Sequence, residues 1–223
     1  MSDIVSYKQH GAVAVITLNR PDALNSFTAE LSLQTQLALE RAADDDDVRV
    51  IVLTGEGRSF SAGADLKAGF EGRSVFGKLH YEYRPVFSAI ATMSKPVIAA
   101  VPGSAAGIGM SLALHCDLLV MADNAFLLSP FTTISLVPDG GLSWLLVRQL
   151  GYRRAFQLSV ESERIPANRC VELGLANKAV PAGDLQSAAL EWAQMLAKRA
   201  PRSLEATKKT MRHAIDNLSL IHI

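Results

Sequence analysis

The strongest constraint on the fold is a set of short Val- and Ile-rich runs, at residues 12–18, 48–53 and 96–101, that each end in turn chemistry. Runs of this length and composition read as strands. The first leads into Asn19-Arg20-Pro21-Asp22, the second into Thr54-Gly55-Glu56-Gly57 and the third into Pro102-Gly103. Such clusters end extended segments because they supply turn geometry at little steric cost. Residues 28–42 set Leu31, Leu37 and Leu39 among polar positions, a helical pattern that Thr28 is placed to cap, and Asp44 to Asp47 end it. The apolar stretch 110–115 predicts a further helix, 117–121 and 125–128 two short strands, and 140–150 and 153–160 two more helices. Strands and helices therefore alternate, which predicts an α/β layer arrangement. From Ala167 onward the pattern is mostly helical: 185–198 is amphipathic, and Pro201 suits the first turn of a helix ending near Asn217.

With 223 residues, the chain fits one domain, since domains commonly run to roughly 100–200 residues. An α/β core is expected over about residues 1–165 and a helical region over 166–217. The 22 basic and 22 acidic residues cancel, so no field attracts a polyanion and no nucleic-acid partner is expected. Residues 1–10 hold Asp3 and Lys8 and no sustained apolar run, and no later stretch reads as a span, so neither a secretory signal nor a membrane partner is expected. Cys116 and Cys170 lie far apart with no ligand spacing, which predicts plain thiols, no metal site and a reducing, cytoplasmic setting. The four carboxylates at 44–47 read as a solvated turn, because no further ligands stand at a recognisable spacing.

Chemistry is expected at two segments of one design: Phe60-Ser61-Ala62-Gly63-Ala64-Asp65 and Ala106-Gly107-Ile108-Gly109. In each, small residues after a strand let the backbone approach a ligand closely. Amides exposed this way can hold an oxyanion, and a following helix adds positive potential. Tight packing of helix on sheet explains the same small residues equally well.

Together with Asn19-Arg20-Pro21, Asn25, Asp65-Leu66, Lys95-Pro96-Val97-Ile98-Ala99-Ala100-Val101, Cys116-Asp117 and Val137-Pro138-Asp139-Gly140-Gly141, taken in order, these segments resemble the motifs of the crotonase (enoyl-CoA hydratase/isomerase) family over nearly the whole chain. The resemblance implies a ClpP-like α/β fold of repeated ββα units with a helical C-terminal region, assembled as a homotrimer or as a hexamer built of two trimers. It implies an acyl-CoA substrate, with coenzyme A part of that substrate and no separate cofactor. Carried onto this chain, it makes the amides of Ala64 and Ile108 the oxyanion donors. Ala62, Asp65 and Leu66 fall where the family's backbone meets the CoA moiety, and Gly107 and Ser111 fall beside the acyl group. The family usually has glycine at position 108; an amide is available from any residue but proline, so the isoleucine bears on local shape more than on chemistry.

The family's hydratases place two glutamates around water, and alignment through Cys116-Asp117 and Val137-Pro138 puts Ser111 and Phe131 at those positions. Phenylalanine has no proton to exchange, so ordinary hydration is expected to be weak or absent. The acid that remains is Asp139, where some family isomerases carry their single carboxylate. Asp139 is equally a residue of a Pro-Asp-Gly turn or a helix cap. The resemblance favours an enoyl-CoA double-bond isomerase, of Δ3,Δ2 or phenylacetate-pathway type, with Asp139 in a pocket made apolar by Phe131, Leu136 and Trp144. Hydratase or other thioester chemistry, and a non-catalytic acyl-CoA binder, remain open.

Among the histidines, His115 reads as packing beside Cys116, and none has a readable nucleophile partner. Tyr81, Tyr83 and Arg84 fall in the segment 69–84 that covers the acyl pocket in the family. The family normally continues past the helix near Asn217, so the C-terminal region is expected to be incomplete here, with 218–223 read as a sequence artefact.

Overall fold

A computed structural model describes residues 3–68 and 74–214. Its first two strands, β1 (Val5–His10) and β2 (Val13–Leu18), form an antiparallel hairpin in which His10 pairs with Val13. Sequence reading found β2 and no strand before it. The reason is that β1 is a half-exposed edge strand, held by its ladder to β2 more than by apolar content of its own. Helix α1 (Ala29–Asp44) begins as expected at Thr28, whose hydroxyl accepts from the Leu31 amide at 3.2 Å.

The chain then repeats one theme. β3 (Val50–Gly55) and β4 (Ser59–Ser61) precede α2 (Val75–Lys78), which runs through a π-helical turn (Leu79–Tyr83) into α3 (Arg84–Thr92). β5 (Val97–Val101) and β6 (Ser104–Ala106) precede α4 (Ile108–His115). β7 (Leu118–Ala122) and β8 (Phe126–Leu128) precede a 3-10 turn at Phe131–Ile134, then α5 (Leu142–Leu150) and α6 (Tyr152–Glu161). In each repeat the first strand joins one sheet and the second joins another. These are the ββα units that the resemblance implied. β6 lies between the strand at 96–101 and the helix at 110–115 read from sequence, and its three residues pair with both β4 and β8.

The remaining elements are β9 (Ile165–Pro166), α7 (Ala167–Glu172), β10 (Lys178–Val180), α8 (Leu185–Ala197) and α9 (Pro201–Ala214). One sheet has the order β1-β2-β3-β5-β7-β10 and the other β4-β6-β8-β9. All residues of β3 and β5 are buried. That is why those runs are apolar without alternation, as parallel strands covered on both faces require. Each fully buried Val, Leu or Ile there stabilises by roughly 1.5–3 kcal/mol. The expected helical region also contains a strand, since β10 extends the larger sheet by pairing parallel to β7.

Asp117 anchors α9. Asp117 takes Lys208 at 2.8 Å and Arg212 at 2.7 Å, and Lys208 also donates to the Ile90 and Lys95 carbonyls. The rest of the helix expected to end near Asn217, and all of 218–223, lie outside the described residues, as do 69–73 of the expected pocket-covering segment.

Candidate active site

Parallel pairing of β4 with β6, through Ser59 to Ser104 and Ser61 to Ala105, makes neighbours of the two glycine-bearing segments that follow. Gly63 has φ +99°, and a Cβ there would lie 2.9 Å from the Ala106 carbonyl oxygen and 3.6 Å from the Ile108 nitrogen. Only glycine permits that approach. Gly107, at φ 53° and ψ −125°, turns the chain into α4, so Ile108 is the first residue of the helix. Its amide therefore belongs to the unpaired, positive helix end.

Ala64 is aimed by an isolated bridge. Phe27 donates to the Gly63 carbonyl at 2.7 Å and accepts from the Asp65 amide at 2.9 Å. Strand alternation then turns the Ala64 amide to the opposite side. Among the described residues, neither the Ala64 nor the Ile108 amide donates to a protein acceptor, which is the state an oxyanion site needs.

The loop before Ala64 is pinned by groups distant in sequence. Asn25, fully buried and left-handed at φ 53°, donates to the Glu56 and Ser59 carbonyls and accepts from the Arg20 amide. The Ser61 hydroxyl donates to the Asn25 carbonyl, and the Ala62 amide donates to the Leu24 carbonyl. The Asp65 carboxylate receives four hydrogen bonds, from Arg20, Ser26, Lys67 and Ala68. Burial pushes its pKa up, and those donors, led by Arg20, outweigh it and hold the group below the usual carboxylate range.

A cavity of about 210 Å³ opens at this point, lined by Ala64, Asp65, Leu66, Tyr83, Leu136 and Asp139, with Val75, Lys78, Leu79 and Val137 completing the wall. It brings together six of the residues singled out from sequence: Ala64, Asp65, Leu66, Tyr83, Leu136 and Asp139. Ile108 is buried one layer behind, against Gly63, and its side chain reaches beneath Gly140, where a Cβ would collide with it. The isoleucine thus fits because its neighbour at 140 is glycine.

Asp139 does not cap α5: Gly141 occupies the cap position and no side chain caps that end. Its carbonyl accepts from the Leu142 amide at 3.0 Å and from the Ser111 hydroxyl at 3.2 Å, which fixes the loop. The carboxyl atom Oδ1 is buried with no partner among the described residues. Burial pushes the Asp139 pKa up to about 6, as desolvation of a carboxylate does.

Ser111 lies elsewhere than the cavity wall. It is fully buried, and its hydroxyl bonds the Gly107 and Asp139 carbonyls. Phe131 is buried against Gly107, and Trp144 stands half-exposed on α5 beneath the Arg148 guanidinium, beside a different groove. Of the three apolar neighbours expected for Asp139, Leu136 alone lines its cavity. His115 packs as expected: it stacks on Phe87 at 4.5 Å and bonds the Ser111 carbonyl at 2.8 Å, and burial lowers its pKa.

Leu79 and Tyr83 are the residues that sequence reading underused. Val75, Leu79 and Tyr83 recur at helical spacing, a signal that was present in the pattern. Among the described residues no group of three His, Cys, Asp or Glu side chains is arranged to hold a metal, and no helix is long and apolar enough to cross a membrane.

The sequence pattern of the family described as enoyl-CoA hydratase/isomerase matches residues 8–222. The chain belongs to the enoyl-CoA hydratase/isomerase family. It is 38% identical over 214 residues to a probable enoyl-CoA hydratase of Rhodobacter capsulatus, covering 96% of this chain and 82% of that relative. It is 35% identical over 226 residues to the 1,2-epoxyphenylacetyl-CoA isomerase of Escherichia coli, covering 97% and 84%. Among solved structures, a monofunctional enoyl CoA isomerase from M. smegmatis superposes with a TM-score of 0.84 at 32% identity, covering 97% of this chain and 96% of that one. The crotonase-type α/β fold and an enzyme acting on acyl-CoA thioesters follow from membership of this enoyl-CoA hydratase/isomerase family. Hydratases and isomerases both stand among the relatives, so family membership by itself does not choose between the two reactions.

Proposed function

We propose that this protein is an enoyl-CoA double-bond isomerase, of Δ3,Δ2 or phenylacetate-pathway type, working with one carboxylate and two backbone amides. The observation that carries the reading is the state of Asp139. Of the two carboxylates lining the cavity, Asp65 is engaged by four donors, whereas Asp139 has an unpartnered oxygen and a pKa raised to about 6. A base for C2 needs that combination of reach and basicity. In this mechanism the thioester oxygen sits between the amides of Ala64 and Ile108, which stabilise the dienolate. On a 3-enoyl chain, Asp139 takes the C2 proton and returns it at C4. Each amide contributes about 2.7–4 kcal/mol of transition-state stabilisation. Ala62, Asp65 and Leu66 border the entry used by the CoA moiety, and Gly107 and Ser111 hold the floor and the Asp139 loop.

The proposal needs no cofactor beyond the coenzyme A of the substrate. It includes a cytoplasmic location, supported by two free cysteines, and assembly as a trimer or hexamer. Exposed apolar side chains on α5 and α6, among them Val147, Tyr152 and Phe156, support the assembly. The test is turnover of aliphatic 3-enoyl-CoAs and of ring-1,2-epoxyphenylacetyl-CoA, followed at the conjugated product. Isomerisation of either is the expected result. Hydration of crotonyl-CoA faster than any isomerisation would overturn the reading, and so would thioester binding without turnover.

A further inference from the structure

Two residues lining the cavity carry a buried oxygen without a partner among the described residues: Asp139, at Oδ1, and the phenol of Tyr83. The Tyr83 oxygen contacts no hydrogen-bonding group among the described residues, and the residue is only 4% exposed. The ring is fixed edge-on to Phe27 at 6.2 Å. Tyr83 closes the π-helical turn of Leu79–Tyr83, an irregularity found mostly as single turns and often at functional sites. A buried hydroxyl left unpaired costs roughly 1–3 kcal/mol. A folded chain that keeps one generally has a ligand or water to complete it.

The chemistry of the missing partner follows from the two orphans together. Burial, then the negative charges of Glu82 and Asp139, push the Tyr83 phenol above its ordinary range, so it remains a protonated donor. The ionised carboxyl of Asp139 is an acceptor. A donor and an acceptor on one cavity complement a group that accepts and donates, and on an acyl chain that group is a hydroxyl.

We propose that Tyr83 is a specificity-determining residue that donates a hydrogen bond to an oxygen on the bound acyl group, so that the site prefers hydroxyacyl-CoA thioesters to the unsubstituted chain of equal length. The inference rests on the cavity being the acyl site. It goes beyond the isomerase reading because plain 3-enoyl chains leave the Tyr83 hydroxyl unanswered.

Calorimetric titration of the full chain with butyryl-CoA, 3-hydroxybutyryl-CoA and 4-hydroxybutyryl-CoA tests it. At least one hydroxy thioester should bind about five- to tenfold more tightly than butyryl-CoA, the contribution of one well-made hydrogen bond. In Tyr83→Phe that ratio should fall to within about twofold of one, with no loss of thermal stability, because the hydroxyl has no protein partner to lose. Butyryl-CoA binding with no gain from either hydroxyl overturns the role of Tyr83 and leaves the acyl site standing. So does a gain that survives in Tyr83→Phe, and so does a variant that unfolds for want of the hydroxyl, since that marks a structural bond. Failure of all three thioesters to bind overturns the acyl site itself.

Discussion

Asp65 and Asp139 face one cavity and have opposite surroundings. The Asp65 side is a pinned corner: Arg20 and Ser26 from one loop, and the Lys67 and Ala68 amides from the next turn, meet its carboxylate. The Asp139 side is a loop held through its backbone, by Leu142 and Ser111, and its carboxyl atom Oδ1 is buried without a partner among the described residues. The contrast teaches that a carboxylate lining a cavity takes its ionisation behaviour from its partners. Where donors surround it, it fixes shape and stays ionised. Where they are absent, its pKa rises toward the range useful for proton transfer.

The largest expected effect tests the comparison directly. Asp139→Asn should lower the isomerase rate by about 10²–10⁴, with intact acyl-CoA binding and a urea midpoint at neutral pH no lower than the parent's, since the variant also removes a buried charge. Asp65→Asn should leave most of the rate. Equal losses in the two variants would break the contrast.

Next in size, Asp65→Ala should destabilise the fold by about 1–3 kcal/mol in urea denaturation, since the Arg20 guanidinium and two amides lose their acceptor. Asp139→Ala should cost clearly less. A reversed order would assign the structural role to Asp139.

The pH profile gives a finer test. With the Asp139 pKa near 6, kcat/KM should be flat above that value and fall about tenfold per unit below it, because the base acts only when ionised. A profile flat down to pH 4 would remove Asp139 from the base role.

The smallest effect is on stability and has opposite signs at the two sites. Folded Asp139 has a raised pKa, so the penalty of its buried charge is relieved as pH falls from about 6 toward 3.8, and stability rises over that window. Folded Asp65 has a lowered pKa, so its contribution is present above 3.8 and is lost as pH falls below it. Thermal melting of Asp139→Asn against the parent between pH 4 and 7 should remove the first slope alone.

Much of this was legible in the chain. Fully apolar strands declare burial on both faces, so β2, β3 and β5 could be read directly, as could the cap of α1 at Thr28. The glycines at 63 and 107 mark close backbone approach, and of the residues the resemblance pointed to, Ala64 and Asp139 line one cavity while Ile108 is buried beside Gly63. Other features were not legible, for stated reasons. β1 is stabilised by its partner's ladder, which no local composition reports. Val75, Leu79 and Tyr83 carried a helical period that polar neighbours obscured. Trp144 is near Asp139 in sequence and faces another groove, because α5 turns it away. Ser111, aligned with a catalytic position, is fully buried and its hydroxyl holds two carbonyls, a partnership that spacing does not report.

By itself, then, the sequence determined the layered α/β architecture, the two glycine-led amide segments and the single candidate acid. These are set by periodicity, by the steric freedom of glycine and by residue type, all of which are local. Only the tertiary structure decided which aspartate is surrounded by donors and which has a raised pKa, why isoleucine fits at 108 and that the Tyr83 hydroxyl is buried without a partner among the described residues. Those properties depend on desolvation and on hydrogen bonds such as Arg20 to Asp65, between groups brought together only when β4 is laid beside β6 and the Asp139 loop closes over α4.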